Sequence, residues 1–371
     1  MANRIKKKYM TGKIYFDYPM LFLIIFLIAF GILMVFSTSS YKSMEHFKTP
    51  YHWVIRQGVA VVIGAVAMGF FCKLDYRVFQ NKVVARSCYI ISIVLLGTVL
   101  ILGAAKKGAI RWFQVGGFQF QPSEVAKILM IIYLAYTLSE NAHRIVKFKD
   151  AMNIIFRCAP IILLIFSQNM STALILCAIV GVMVLVISPK TKELMIAALA
   201  FVGLIVVYLM STNSYRNERF AIWLHPETHE KGLQTMQALY AIGSGGIFGK
   251  GLGQSMQKMG FIPESHNDMI FSIICEELGL FGAVCVILVF MALIWRMLLI
   301  AMNAEDLFGS LLVIGCLTHI AVQVFINIAV VTNTIPPTGV PLPFISYGGT
   351  SILGAMIEMG IVLSVSRRIH L

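Results

Sequence analysis

Three polar side chains that could do chemistry lie close together in the stretch GFIPESHNDMIFSIICEELGLFG, residues 260–282. Glu264, His266 and Asp268 fall within five positions, at the start of an otherwise apolar run. A carboxylate at a lipid boundary is costly and is usually functional, and its chemistry would be that of a general base. A structural alternative exists, because Ser265-x-x-Asp268 ahead of an apolar run matches a helix capping box. Ser265 is interpreted as the cap, and both roles stay open for Asp268.

A second charged pair lies in the sequence QPSEVAKI. Glu124 and Lys127 are three positions apart, so they share one face of a helix and could simply neutralise each other. Lys127 is expected about one turn inside the membrane, where a lysine in a cavity would be a counter-charge for an anionic ligand.

Two further stretches are rich in turn-forming residues. AIGSGGIFGKGLG fails the phosphate-loop template, because Ser244 occupies the first glycine position and Gly251 replaces the Ser or Thr. Its glycines are interpreted as tight turns with positive φ, and Lys250 stays a candidate phosphate contact. The other stretch, residues 333–351, surrounds Ser346 with prolines and glycines, and such non-helical backbone at a membrane edge is expected to line a cavity.

The composition indicates which elements must position these residues. The chain has 371 residues, of which 58% are hydrophobic and 13% are charged. These values lie in the membrane class, so we predict an all-α polytopic membrane protein.

Apolar runs long enough to cross a bilayer recur along the whole chain. The ten runs are Met20–Phe36, Val54–Cys72, Cys88–Ala105, Val125–Leu138, Met152–Phe166, Met170–Ile187, Leu194–Met210, Met269–Leu293, Gly309–Val331 and Ser351–Val365. They predict a single integral membrane domain, residues 1–371, with ten transmembrane helices. Residues 1–17 would be a cytoplasmic tail, and residues 211–268 a large extracytoplasmic loop between helices 7 and 8.

The distribution of basic residues predicts the orientation of these helices. More than half of the 30 Lys and Arg residues fall in the short connections on the side of the amino terminus. The positive-inside rule therefore places both termini in the cytoplasm and residues 106–124, 211–268 and 333–351 outside. Basic residues scattered over separate loops also argue against nucleic-acid binding, although the net charge is +13.

The seven cysteines lie in or at the ends of apolar runs, and they form no CxxC pair. Cysteines in such places behave as small apolar residues. We predict neither a disulfide nor a structural metal site.

Three stretches together carry a resemblance to a known family. RWFQVGGFQFQPSEVAKI, AIGSGGIFGKGLGQSMQKMGFIPESHNDMIFSIICEELGLFG and TIPPTGVPLPFISYGGTS are similar to the motifs of the SEDS family, the group of RodA, FtsW and SpoVE. The likeness spans nearly the whole chain. It implies an inverting peptidoglycan glycosyltransferase of the cell membrane that polymerises lipid II into β-1,4 glycan strands. The implied partners are a class B penicillin-binding protein and other divisome or elongasome membrane proteins.

The resemblance also implies roles for individual residues. Asp268 matches the essential aspartate of the family, and Glu124 and Lys127 match its paired residues in the fourth span. An attack by a sugar hydroxyl on an anomeric carbon that carries pyrophosphate needs one base and cations to stabilise the leaving group. The candidate substrate-binding residues are Glu124, Lys127, Arg111, Arg216, Arg219, Lys250, His266 and Ser346. A divalent cation could bridge the pyrophosphate, but no ligand cluster requires it.

Alternatives from other classes stay open. A lipid II flippase would use intramembrane charges such as Arg157, Glu276 and Glu358. A scaffold that only binds partners would tolerate Asp268→Asn. Within the family, the sequence is more similar to FtsW than to RodA.

Overall fold

The structure, a computed structural model, describes residues 16–106, 109–115, 118–211, 215–229, 232–263 and 265–369. Almost all of the predicted cytoplasmic tail, residues 1–17, lies outside these ranges. The helices are α1 (Tyr18–Phe47), α2 (His52–Lys73), α3 (Lys82–Leu102), α4 (Pro122–Asn141), α5 (Phe148–Gln168), α6 (Met170–Ile187), α7 (Thr191–Ser211), α8 (Tyr215–Leu224), α9 (Leu233–Ser244), α10 (Ile270–Met302), α11 (Leu307–Val331) and α12 (Gly349–Ser366). Short 3₁₀ helices lie at Tyr76–Gln80 and Ala142–Arg144.

The predicted apolar runs coincide with the long helices. In the part of the chain that the structure describes, eight helices are long and apolar enough to cross a membrane. The chain is therefore a helical, multi-pass membrane protein. The other two predicted spans are helices of 20 and 21 residues, α4 and α7, but they are not among the eight.

A small antiparallel sheet stands where the sequence predicted only a polar loop. Its strands are β1 (Ala104–Lys106), β2 (Ala109–Val115) and β3 (Phe118–Phe120), in the order β1-β2-β3. Phe113 pairs with Phe120, and Val115 with Phe118. Aromatic and β-branched residues favour strands. The third predicted span was expected to end at Ala105, but its helix ends at Leu102 because the chain enters β1 at Ala104.

Two short helices lie in the predicted large outer segment. α8 has 10 residues and α9 has 12, which is too short to cross a bilayer core of about 30 Å. The segment is therefore partly helical, whereas the sequence predicted only a loop.

Side chains cap the N-termini of several of the long helices. Asp17 accepts a hydrogen bond from the Met20 backbone N–H at 2.8 Å, and Asp306 accepts one from Gly309 at 2.6 Å. Each cap satisfies a backbone donor that the first helical turn leaves without a partner.

Helix α10 is broken at Gly279, whose φ of 69° is closed to most side chains. A Cβ atom at this position would come 2.3 Å from the backbone nitrogen of Gly249. The segment 245–251 closes the break with four backbone hydrogen bonds: Lys250 and Gly251 donate to Glu276 and Glu277, and Leu280 and Phe281 donate to Gly246 and Ile247. Gly246, Gly249, Gly251 and Gly253 all have positive φ, which confirms the prediction of glycine turns.

Helices α11 and α12 form the centre of the bundle. α11 packs against α4, α6, α10 and α12, and α12 packs against α2. In their most apolar windows, 61% of α11 and 78% of α12 is buried inside the protein. Polar side chains on these two helices must therefore find partners within the protein.

Candidate active site

Asp268 lies directly before the first turn of α10 and is half-buried. Its backbone carbonyl accepts a hydrogen bond from Asn327 of α11 at 2.8 Å. On the other side is Gly339, with a φ of 72°, where an added Cβ atom would lie 3.6 Å from Asp268 Oδ2. The carboxylate thus faces the segment between α11 and α12.

The capping box predicted for Ser265 is wrong. Helix α10 begins at Ile270 with Met269 as its N-cap residue, and no side chain caps it there. Ser265 instead donates its hydroxyl to the Thr38 carbonyl at 3.3 Å. The capping box, which was the structural alternative for Ser265-x-x-Asp268, therefore fails at Ser265. Glu264, the first acidic residue of the stretch, lies outside the described residues.

The segment between α11 and α12, residues 333–348, is non-helical, and we call it the proline-rich segment. Side chains from four helices donate to its backbone carbonyls: Trp223 to Asn333, Arg219 to Pro337, Ser171 to Thr338, Asn327 to Val340, Gln323 to Pro341 and Gln57 to Ser346. This agrees with the expectation that protein groups satisfy irregular backbone at membrane depth.

Ser346 and His266 lie where this segment contacts the Asp268 stretch. The Tyr347 backbone N–H donates to the His266 carbonyl at 2.9 Å. Ser346 Oγ accepts from the Leu342 N–H at 2.8 Å, so its oxygen stabilises a turn. The His266 ring lies 5.2 Å from the Trp53 ring and 5.6 Å from the Tyr347 ring. The substrate-binding roles of both residues stay predictions.

Tyr347 contributes a phenol to the same cluster. Burial raises the pKa of this phenol, and Arg56 nearby opposes that rise. Tyr347 therefore remains a neutral hydroxyl at physiological pH, able to donate a hydrogen bond.

The predicted pair of α4 is present and buried. Lys127 Nζ is 2.9 Å from Glu124 Oε1, and the two side chains are 1% and 10% exposed. The structure adds two partners, His319 and Glu358, that the sequence did not predict as site residues. Lys127 Nζ lies 2.7 Å from His319 Nε2, and His319 Nδ1 lies 2.8 Å from a carboxylate oxygen of Glu358. From the sequence, Glu358 is a candidate only as an intramembrane charge that a flippase would use.

Three arginines were also predicted to bind the substrate, and the structure describes the side chain of one of them, Arg219. Arg219 donates to the Pro337 carbonyl at 3.0 Å, which brings it to the proline-rich segment. The side chains of Arg111 and Arg216 lie outside the part of the chain whose side chains the structure describes.

Lys250 lies at the break in α10. Its Nζ is 2.7 Å from Glu276 Oε1 and 2.9 Å from Ser244 Oγ. Lys258 pairs in the same way with Glu277 at 2.7 Å. Lys250 thus joins segment 245–251 to α10, and its contact with a phosphate stays a prediction.

One face of α11 links the two parts of the site. His319, Gln323 and Asn327 are spaced four residues apart, so they lie along a single face of the helix. His319 contacts Lys127, Gln323 contacts the proline-rich segment, and Asn327 contacts the Asp268 backbone. Polar residues at this spacing in an apolar helix are the sequence signal that would have found them.

In the part of the chain that the structure describes, no group of three or more His, Cys, Asp or Glu side chains could hold a metal ion. A divalent cation bridging a pyrophosphate stays a prediction from the sequence.

Comparison with known proteins shows which family the chain belongs to. The model of the FtsW, RodA and SpoVE family, described as "Cell cycle protein", matches residues 18–370. The chain belongs to this family. It is 34% identical to a probable peptidoglycan glycosyltransferase FtsW of Geobacter sp. (strain M18), over 96% of this chain and 98% of the relative. It is 36% identical to the stage V sporulation protein E of Bacillus subtilis (strain 168), over 95% and 97% of the two chains.

Solved structures of relatives have the same fold. One belongs to a study of "Structural coordination of polymerization and crosslinking by a peptidoglycan synthase complex". It has a TM-score of 0.81 and 27% identity, and the match covers 96% of this chain and 98% of the other. The rod shape determining protein RodA of Thermus thermophilus has a TM-score of 0.72 and 25% identity, with coverage of 96% and 98%. The resemblance inferred from the three motifs is confirmed.

Proposed function

We propose that this chain is a peptidoglycan glycosyltransferase in which Asp268 is the general base. The observation that carries the assignment is the placement of Asp268: it is half-buried at the start of α10, with its backbone held by Asn327 and Gly339 beside its carboxylate. Relatives that match nearly the whole chain are named as peptidoglycan glycosyltransferases.

The substrate of the proposed reaction is lipid II, a disaccharide-peptide on polyprenyl pyrophosphate. Asp268 takes the proton of the acceptor sugar hydroxyl, whose oxygen forms a bond to the anomeric carbon of the donor. The bond from that carbon to the pyrophosphate oxygen breaks on the opposite side, which inverts an α-linked donor to a β-1,4 product. Polyprenyl pyrophosphate leaves with the bonding electrons.

Cations must stabilise the charge that grows on the leaving group. Two candidates have described side chains joined to the site: Arg219 donates to the proline-rich segment, and Lys127 contacts His319 on the helix whose Asn327 holds Asp268. Arg111 and Arg216 are proposed on the motif resemblance alone.

The membrane topology belongs to the same proposal. Taking α4 and α7 as two further spans gives ten, with both termini in the cytoplasm and Asp268 on the outer face of the cell membrane. Residues 1–371 would then act as one integral membrane domain. The position of the basic loops supports this orientation.

A class B penicillin-binding protein is the proposed partner. The support is the solved relative from a study of a peptidoglycan synthase complex that couples polymerisation to crosslinking. The relatives named FtsW and stage V sporulation protein E favour a division-type role, alongside other divisome membrane proteins, over an elongation-type role.

The decisive variant is Asp268→Asn, which keeps the side-chain shape and removes the base. It should stay folded, bind lipid II and its partner, and lose at least about a hundredfold in polymerisation rate, the low end for a missing general base. Polymerisation would be followed by gel, with the partner transpeptidase present, beside a thermal melt and a flipping assay in liposomes.

Two results would overturn the assignment. Near-normal polymer from a well-folded Asp268→Asn variant would exclude the base role. The lipid II flippase would be favoured if the wild-type protein did not polymerise lipid II but did flip it, and if Asp268→Asn abolished the flipping.

A further inference from the structure

A buried histidine joins three helices beside the candidate active site. His319 of α11 lies 2.7 Å from Lys127 Nζ of α4 through its Nε2 atom. Its Nδ1 atom lies 2.8 and 2.9 Å from the two carboxylate oxygens of Glu358 on α12. The His319 and Glu358 side chains are 4% and 0% exposed. With Glu124, these residues form one continuous polar chain within an apolar bundle.

Hydrogen-bonding rules determine how the ring sits in this chain. An ammonium group has donors only, so Nε2 of His319 must accept from Lys127. The ring proton then lies on Nδ1, where it is donated to the Glu358 carboxylate. Glu358 selects the tautomer of His319 in the way that carboxylates orient ring nitrogens elsewhere. His319 is thus a neutral bridge between a cation and a carboxylate.

The chain of contacts also fixes the Lys127 ammonium in space. A lysine side chain has four flexible carbons and three rotatable donors, so one ion pair with Glu124 would leave Nζ free to swing. The second contact, to His319, comes from a different helix. Two partners on separate helices hold Nζ at one position.

The same face of α11 positions Asp268. Asn327, eight residues after His319, donates to the Asp268 carbonyl, and eight residues of helix correspond to about 12 Å along the axis. A single rigid element therefore sets the position of the proposed base and of the proposed cation. Sites on rigid elements keep their geometry better than sites on loops.

We infer that His319 and Glu358 are positioning residues that hold Lys127 in place for the reaction. The inference rests on the proposed function, in which Lys127 stabilises the pyrophosphate leaving group. Neither residue touches the substrate. Their contribution is to the transition state, because a misplacement of about 1 Å can cost about a hundredfold in rate.

Substitutions at position 319 separate this role from simple packing. Glutamine carries both an acceptor and a donor on one amide, so His319→Gln can still bridge Lys127 and Glu358. Leucine has neither and removes the bridge. The double variant His319→Leu/Glu358→Leu removes both buried polar partners together, a change that is often neutral or stabilising for the fold.

The experiment measures initial rates of lipid II polymerisation by the full chain with its partner transpeptidase, as a function of lipid II concentration. We expect His319→Leu to lower kcat about ten- to a hundredfold, with KM nearly unchanged. His319→Gln should recover most of that rate. The double Leu variant should melt at or above the temperature of His319→Leu and yet regain none of the rate. In a Lys127→Arg background, His319→Leu should lower kcat by a much smaller factor, because the effects of substitutions at two coupled residues are not additive.

A matched control comes from an exposed histidine. His225 lies 3.6 Å from Glu227, with side chains 71% and 55% exposed, so His225→Leu should leave kcat and KM at wild-type values. A wild-type rate for His319→Leu or for the folded double variant would overturn the inference, as would a well-folded His319→Gln as slow as His319→Leu.

The outcomes distinguish this inference from the proposed function. If Lys127→Ala is inactive while His319→Leu is normal, the positioning role fails and the cation role stands. If Lys127→Ala polymerises normally, the cation role itself fails, and the inference fails with it. Asp268→Asn tests the base independently of both.

Discussion

Asn327 binds the backbone of the proposed catalytic residue directly: its Nδ2 atom donates to the Asp268 carbonyl at 2.8 Å. The same nitrogen donates to the Val340 carbonyl, also at 2.8 Å. One buried amide therefore joins the start of α10 to the proline-rich segment. The relative position of Asp268 and Gly339 depends on this connection.

Asn327→Ala is expected to slow polymerisation about tenfold and to lower the melting temperature. The substitution removes this donor from the buried Val340 carbonyl and from the part-buried Asp268 carbonyl, and the loss at a buried acceptor costs about 1–3 kcal/mol. Asn303→Ala is the control, because Asn303 is exposed at the end of α10 and its side chain donates to the Leu299 carbonyl of the same helix. An Asn327→Ala protein with wild-type rate and stability would show that the proline-rich segment holds its place without this bond.

Lys127→Ala should abolish polymerisation, whereas Lys127→Arg should retain part of it, because the proposed task needs a cation. Glu124→Ala should also lower the rate, since it removes one of the contacts that hold Lys127 Nζ. Lys190→Ala is the matched control: Lys190 and Glu193 form the same (i, i+3) pair at 3.0 Å, but both side chains are 48% exposed, and exposed pairs contribute little. Normal polymerisation by both Lys127→Ala and Glu124→Ala would reduce the α4 pair to a structural role.

Lys258→Met should destabilise the protein more than Lys250→Met. Lys258 and Glu277 are 5% and 0% exposed, so removing the lysine takes a buried cation from a buried carboxylate, which keeps the Ser37 hydroxyl and the Ser255 N–H as donors, at a cost of about 3–5 kcal/mol. Lys250 is 33% exposed, so solvent already screens its charge and its removal costs less; Glu276 also keeps Ser255, Met256 and Gln257 as donors. Thermal melts of the two purified variants in the same detergent provide the comparison. Equal melting temperatures would contradict the burial argument.

A cysteine introduced at Thr228 should react with a membrane-impermeant thiol reagent added outside intact cells, whereas one at Lys147 should not. Both positions are exposed on the protein surface, so the difference reports the side of the membrane. The background should lack the native cysteines, because Cys285 is exposed. Labelling of Thr228→Cys only from the cytoplasmic side would reverse the proposed orientation.

Hydropathy and local motifs predicted much of this protein from the sequence. The long apolar runs became helices because hydrophobic length and backbone hydrogen bonding are local properties of the chain. The glycine turns of residues 246–253 followed from the conformational freedom of glycine. The (i, i+3) spacing of Glu124 and Lys127 placed both on one helix face, where an ion pair was one of the two roles predicted for them.

Partners from distant parts of the chain were decided only by the tertiary structure. His319 and Lys127 are separated by 192 positions, and no periodicity connects them. The sequence offers Lys250 as a candidate phosphate contact but does not predict its partner Glu276, which the packing of segment 245–251 against the broken α10 brings beside it. Ser265 matched a capping box, but the packing of α1 gave its hydroxyl the Thr38 carbonyl as a partner. Local sequence determines which residues are polar and which backbone shapes they allow, whereas the contacts that compensate buried charge depend on how the helices pack.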